Sequence, residues 1–286
     1  MKCVTYNIQY GIGLDGAYDI GRIAEAVRGA DLIALQEVTR NNPRNGGRDM
    51  VAELREALPD YFAVYGPNLE VDVGSHVRDG RAVDMRMEFG NMILSKTPIL
   101  ASRNVLLPRR RSIDLLNLQR GAIEALVDTP FGPVRFYSIH LDHRGPDERR
   151  EQLGFLMQRV LGYPLEGGAI SGTAELGFAE PPAPEAFVLM GDFNMLPDGV
   201  EYVGLTGRTD HEFGLPLVVS CPVDAAARVG AARPTWLDPQ RPADESRWKR
   251  IDYVFVSAGL AGRVAASHVD SAATGSDHLP LWAELG

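Results

Sequence analysis

The chain has 286 residues, is 45% hydrophobic and 23% charged, and carries a formal net charge of -9 at pH 7. That composition supplies a sizeable core, and the apolar runs are too short for a transmembrane helix. The negative balance argues against coating nucleic acid by bulk electrostatics, but it does not exclude a nuclease, because acids that hold a cation add to it.

In chain order, residues 2–8 read as a strand reaching Asn7, with no apolar leader ahead of it, so no secretory signal is expected. Gly11, Gly13 and Gly16 mark a loop. Residues 20–28 place Ile20, Ile23, Ala24 and Val27 on one helical face, with Asp19 as the cap. A buried strand over 32–38 ends on Glu37. A helix is predicted for 49–58 and a short strand for 61–65. Residues 67–88 are polar and aperiodic and predict a long loop, a feature often tied to function.

Strands follow at 89–95 and 99–107, then a charge run at Arg109, Arg110 and Arg111. Residues 122–127 and 134–141 predict a hairpin turning at 128–132. Residues 147–161 are helical by the spacing of Leu153, Leu156, Met157 and Val160. A Gly- and Pro-rich surface loop covers 162–184. The run 186–190 is a buried strand that leads into Gly191-Asp192-Phe193-Asn194. An extended Asp-x-Asn points both polar side chains to one face. A short helix near 198–206, a poorly structured stretch over 208–247, and strands at 251–257, 264–269 and 281–284 close the chain. Cys3 and Cys221 are too few for a disulfide framework and read as buried thiols, which suits a reducing cytoplasm. No linker separates two cores, so residues 1–286 form one α/β domain with mixed sheets in the simplest arrangement.

Apolar strands are expected to run directly into five polar ends: Asn7, Glu37, His140, the pair Asp192 and Asn194, and the C-terminal set Asp252 and Asp277-His278. Taken singly, each has a plain structural role. Glu37 closes a strand in solvent, Asn7 is a turn residue, and His140 is a satisfied buried histidine. Asp252 ion-pairs with Arg250, and Ser276-Asp277-His278 is a surface turn. Together, if these positions share one edge, they floor a pocket with acids, amides and imidazoles. Such a set suits Mg²⁺, which takes oxygen ligands and keeps several waters. Glu37 would be its principal ligand, with Asn7 and Asp277 nearby. Asp192 would orient or deprotonate water, His140 and His278 would meet phosphoryl charge, and Asp252 would fix the His278 tautomer.

Thr5-Tyr6-Asn7-Ile8, Leu35-Gln36-Glu37-Val38, Ile139-His140-Leu141, Gly191-Asp192-Phe193-Asn194, Arg250-Ile251-Asp252-Tyr253 and Ser276-Asp277-His278-Leu279-Pro280 resemble, in order, the signature segments of the endonuclease/exonuclease/phosphatase superfamily. The resemblance implies a DNase I-like four-layer α/β sandwich, two mixed β-sheets packed face to face with helices outside. It implies phosphoester hydrolysis dependent on a divalent metal, Mg²⁺ or Mn²⁺. It places the metal at Glu37, with Asn7 and Asp277 close by, and the scissile phosphate at His140 and His278. Asp192 and Asn194 would handle the water, and Asp252 would support His278.

The substrate stays open. A phosphodiester is expected first. A nucleic acid is an alternative, and a catalytically silent binding module is a reading of another class. Arg81, Arg86, Arg109, Arg110, Arg111 and Arg120 are candidates for a basic rim. Arg149 and Gln152 are expected to be structural. Trp236 either stacks on a base or sugar or plugs the core. No hydrophobic hairpin suggests membrane insertion.

Overall fold

Every apolar run read from the sequence forms a strand. In the computed structural model, which describes residues 1–177 and 179–286, the elements run β1 (Lys2–Asn7), α1 (Ile20–Val27), β2 (Leu32–Arg40), α2 (Met50–Ala57), β3 (Phe62–Asp72), β4 (His76–Arg78), β5 (Arg81–Val83), β6 (Arg86–Ser95), β7 (Ile99–Leu106), β8 (Gly121–Thr129), β9 (Gly132–His140), α3 (Pro146–Glu166), β10 (Phe187–Asp192), α4 (Val200–Thr206), β11 (Val223–Asp224), α5 (Ala225–Arg228), β12 (Asp252–Val256), β13 (Val264–Val269) and β14 (Leu281–Leu285). Asp19 caps α1 by accepting from the Arg22 backbone N–H, as its place before the apolar stripe predicts.

Among the described residues, one six-stranded sheet has the order β13-β14-β1-β2-β6-β3 and a second has β11-β12-β10-β9-β8-β7. Both are mixed. β1 and β2 pair in parallel, as do β9 and β10, and the remaining neighbours are antiparallel. Strand alternation then builds three apolar interfaces. Cys3, Ala34 and Ile93 of the first sheet meet Phe136, Val188, Met190 and Val254 of the second. On the outside of the first sheet, Ile23 and Val27 of α1 and Leu54 of α2 cover Val4, Ile33 and Leu35. On the outside of the second, Leu156 and Val160 of α3 cover Tyr137, Ile139 and Leu189. Four layers result, and β10 reads as an unbroken apolar run because it is buried on both faces. Each fully buried Leu, Ile or Val contributes about 1.5–3 kcal/mol.

One end of the sheet–sheet interface is polar. Gln36 Nε2 donates to Ser138 Oγ at 2.9 Å, and Ser138 Oγ donates to Leu35 O at 2.9 Å. Asn91 Nδ2 donates to Gly121 O at 2.8 Å and to Ser138 O at 3.1 Å. These bonds tie the two sheets together beneath the strand ends that carry the candidate site.

The expected loop at 67–88 is mostly a strand ribbon. β3 runs on to Asp72, β6 starts at Arg86, and β4 and β5 form a hairpin at the tip. Its pairs alternate, Leu69 opposite Phe89 and Val71 opposite Met87 on one face, Glu70 opposite Glu88 and Asp72 opposite Arg86 on the other, so a short strand alternation at 69–72 is present in the sequence. Arg86 binds Glu70 at 3.1 Å instead of rimming a pocket. Three boundaries also shift. α3 continues to Glu166 through Pro164. β11 and α5 interrupt the stretch 208–247. β2 does not stop at Glu37 but continues to Arg40. Residue 178 of the expected loop 162–184 lies outside the described residues. Cys3 is buried, whereas Cys221 is only half-buried.

Candidate active site

The register brings the polar strand ends together. Asp192 at the end of β10 pairs with His140 at the end of β9 and with Asp252 at the start of antiparallel β12. Asn7 ends β1 on the facing sheet. A register shift in the pairing of β2 with β6 falls between Gln36 and Val38, and Glu37 there takes φ +62°. This bulge re-aims the Glu37 side chain into the cleft within a continuing strand. Gly191 is needed for close approach: at φ +149°, a Cβ would stand 2.0 Å from Ile139 O. Asn194 is not extended as expected. It takes φ +49°, its N–H binds Asp192 Oδ1 at 2.9 Å and its Nδ2 binds Leu141 O at 3.1 Å.

The residues form one network across both sheets. Asn7 Nδ2 donates to Glu37 Oε1 at 3.2 Å and to Asp192 Oδ2 at 3.0 Å, while its Oδ1 accepts from the Gln9 N–H. His278 Nδ1 is 2.8 Å from Asp252 Oδ2, and its Nε2 is 3.8 Å from Asp192 Oδ2. His140 Nε2 is 3.4 Å from Asp192 Oδ2. Trp236 Nε1 donates to Asp277 Oδ2 at 3.0 Å, so the indole neither plugs the core nor stands free. Arg250 pairs with Asp224 at 2.6 Å, which leaves Asp252 to His278. Glu37, His140, Asp192, Asn194, Asp277 and His278 all line one cleft of about 1010 Å³.

Charge is crowded here. Burial and then Asp252 push the Asp192 carboxyl up to about 7. Burial alone would lower His278, but Asp252, Asp192 and Asp277 outweigh it and raise the imidazole to about 10. His278 is therefore an imidazolium at neutral pH. His140 is held well below its usual value by burial and by the Arg120 guanidinium, so its contact with Asp192 is a neutral one. Burial and Asp277 raise Glu37.

The donor chemistry fits a hard cation. Glu37 and Asp277 bring carboxylate oxygens close enough to repel, with no basic side chain bonded to either, and Mg²⁺ and Mn²⁺ favour such oxygens. Asp192, Asp252 and His278 also place donor atoms within 4.8 Å of one another. That triad suits a metal less well, because the protonated imidazole has no lone pair to offer.

The arginine at 120 departs from the expected rim. It is 3% exposed, and its Nη1 lies 2.8 Å from His140 Nε2 while its Nη2 lies 2.9 Å from His143 Nδ1. Of the six arginines considered for a rim, Arg120 alone lines the cleft. Arg149 and Gln152 serve the framework. Arg149 pairs with Glu201 at 2.9 Å, and Gln152 accepts from the Asp142 N–H at 2.9 Å.

Two mixed sheets between helical layers, with this network at one edge, define a DNase I-like α/β sandwich. The chain matches the Endonuclease/Exonuclease/phosphatase family over residues 4–278 and belongs to that family. No curated protein matches it significantly by sequence. Among solved structures, an endonuclease/exonuclease/phosphatase from Beutenbergia cavernae is 23% identical with a TM-score of 0.67, over 100% of this chain and 72% of that one. A mannosyl-6-phosphatase from Bacteroides thetaiotaomicron is 20% identical with a TM-score of 0.60, covering 100% of this chain and 99% of that one. TDP2 of D. rerio complexed with a single-strand DNA product is 18% identical with a TM-score of 0.58, covering 100% and 98%. These likenesses concern the fold. Among the described residues, no helix is long and apolar enough to cross a membrane.

Proposed function

We propose that residues 1–286 form a single-domain, divalent-metal-dependent phosphoesterase that hydrolyses a phosphate ester, with a diester as first choice. The observation that carries this reading is the Asp252–His278–Asp192 arrangement. Asp252 holds Nδ1–H of His278, which leaves Nε2 toward the cleft beside Asp192.

Glu37 and Asp277 would hold Mg²⁺ or Mn²⁺, with Asn7 alongside, and the chemistry such an ion would supply is neutralisation of phosphoryl charge. The chain's own residues do the rest. The His278 imidazolium donates from Nε2 to a phosphoryl oxygen, and Asp252 keeps its proton and orientation. Asp192, held by the Asn7 amide and the Asn194 N–H, takes the proton of the attacking water. With His278 already protonated, Asp192 is the better base of the two. Neutral His140, backed by Arg120, stabilises charge developing on the phosphoryl group. Asn7 positions both Glu37 and Asp192, so one amide couples the cation side to the water side. The free thiols of Cys3 and Cys221 suit the cytoplasm.

The test is hydrolysis of a generic aryl phosphodiester with Mg²⁺ and then Mn²⁺, in the parent, Glu37→Ala and His278→Ala. Metal-dependent turnover that falls by about 10³-fold or more in both variants is expected. Turnover that persists in either variant at the parent's rate would reject the assignment.

A further inference from the structure

Outside its carboxylates, the cleft carries one sign of charge. Arg44, Arg120, Arg144 and Lys249 line it, although the whole chain is strongly negative. None of the four is bonded to a carboxylate. Arg44 stacks on Tyr10, Lys249 stacks on Trp236, Arg144 Nε donates to His143 Nε2, and Arg120 donates to His140 and His143. Arg149 beside them is the contrast, since Glu201 neutralises it.

The hydrogen bonding at His143 is short of an acceptor. Arg120 Nη2 stands 2.9 Å from its Nδ1 and Arg144 Nε stands 3.0 Å from its Nε2. Guanidinium only donates, and a neutral imidazole has a single lone pair. In either tautomer one imidazole N–H faces an arginine N–H. Arg120 Nε is also buried without a partner. Asp142 does not supply the missing acceptor: its Oδ2 accepts from the backbone N–H groups of Arg144 and Gly145, and its unpartnered Oδ1 stands 3.9 Å from His143 Nδ1, beyond hydrogen-bond reach. Surplus donors and uncompensated cations, one of them deeply buried, call for a guest with several anionic oxygens. The cleft volume of about 1010 Å³ also exceeds what one phosphoryl group fills.

We propose that Arg120, His143 and Arg144 form a second phosphate subsite, so that the substrate is a phosphate ester carrying another phosphoryl group besides the one cleaved. This rests on the hydrolase reading for the first group only. The chain His140–Arg120–His143–Arg144 leads from the Asp192 cluster to the exposed rim, which sets the second group on the His143 side of the cleft. The second phosphoryl group belongs either to a small bisphosphate or to the next unit of a nucleic acid strand, and both present the same oxygens.

Two ligand pairs test the subsite: a hexose bisphosphate against its monophosphate, and a 5′-phosphorylated thymidine dinucleotide against the unphosphorylated one. The preference for the extra phosphate is read as a ratio of Kd in chelator, where no metal-dependent turnover interferes, and as a ratio of kcat/KM with Mg²⁺. In the parent the ratio should reach about tenfold in at least one pair, the scale of one charged hydrogen-bonded contact. Arg144→Gln and His143→Gln should each collapse it towards one, while Arg111→Gln, an exposed arginine outside the cleft, should not. A ratio confined to the sugar pair identifies a small bisphosphate, and one confined to the dinucleotides identifies a strand. Equal ratios of one in the parent, or equal losses for both members of a pair in Arg144→Gln, would overturn the subsite. Esters hydrolysed without preference would sink the subsite and leave the hydrolase reading intact. An Arg144-dependent binding preference without any turnover would do the reverse.

Discussion

The two walls of the cleft differ in their prevailing charge. On one wall, Glu37 and Asp277 repel each other and Asp192 stands against Asp252. On the other, Arg120 presses on His140 and His143, and Arg144 adds a second guanidinium. The fold could have cancelled these charges by pairing the walls, as it does for Arg149 with Glu201 and Arg250 with Asp224. Between the walls stands neutral His140, which meets Arg120 on one side and Asp192 on the other. A pocket that keeps opposite charges apart leaves both free for ligands, which under the function proposed above are a cation on one side and phosphoryl oxygens on the other.

The contrast breaks most visibly where it is bridged. Asp252→Asn removes the charge that holds the His278 proton, and turnover should fall by about 10²–10⁴-fold. The melting shift caused by Mg²⁺ should persist in that variant, because Asp252 stands away from Glu37. A variant that turns over like the parent would refute the positioning role. The next effect is on the acidic wall. A carboxyl whose folded value is raised above its unfolded value makes its ionised form a burden at neutral pH. In chelator, Glu37→Gln should therefore melt higher than the parent by about 2 °C, roughly what 1 kcal/mol moves a chain of this size. Added Mg²⁺ should reverse the order. A variant that melts lower than the parent in chelator would show that the wall is not strained.

The smallest effect lies on the basic wall. His143 is pushed down to about 4 from 6.5, by burial and then by Arg120, with Asp142 opposing and Arg144 and Arg149 adding to the lowering. Between those values the unfolded chain binds a proton that the folded chain does not. Stability contributed by His143 is thus complete above 6.5 and is lost as pH falls towards 4. His143→Asn should flatten the fall of melting temperature over that window by a small amount, since the ring is partly solvated. An unchanged slope in the variant would remove His143 from the account.

Much of this site was legible because strand ends mark themselves. Asn7, His140 and Asp192 each follow an apolar run, and Asp252 stands at the start of one, so a sheet edge gathers them without any knowledge of sheet order. Glu37 was chosen correctly for the cleft, but its means of reaching it was hidden. A bulge leaves no mark in hydrophobic alternation, so the strand seemed to stop where it only kinks. The ribbon of β3 and β6 was missed for a different reason, since Leu69 and Val71 alternate with Glu70 and Asp72 over only four residues before the polar tip begins. Arg120 had a usable signal. The hairpin centred between Pro130 and Phe131 sets Gly121 opposite His140, which puts the residue before Gly121 beside the imidazole. Its burial could not be read the same way, because it depends on Phe89 and His143 arriving from elsewhere in the chain.

The division of the network between the sheets has a consequence during synthesis. Asn7, Glu37, Asp277 and His278 lie on or beside the strands of the first sheet, while His140, Asp192 and Asp252 lie on the second. The imidazole relay is joined only when the sheets dock, and Gln36, Ser138 and Asn91 fix that docking from beneath. A nascent chain with one sheet formed holds only part of the network. The network, and with it the activity proposed above, is complete only at the last step of assembly.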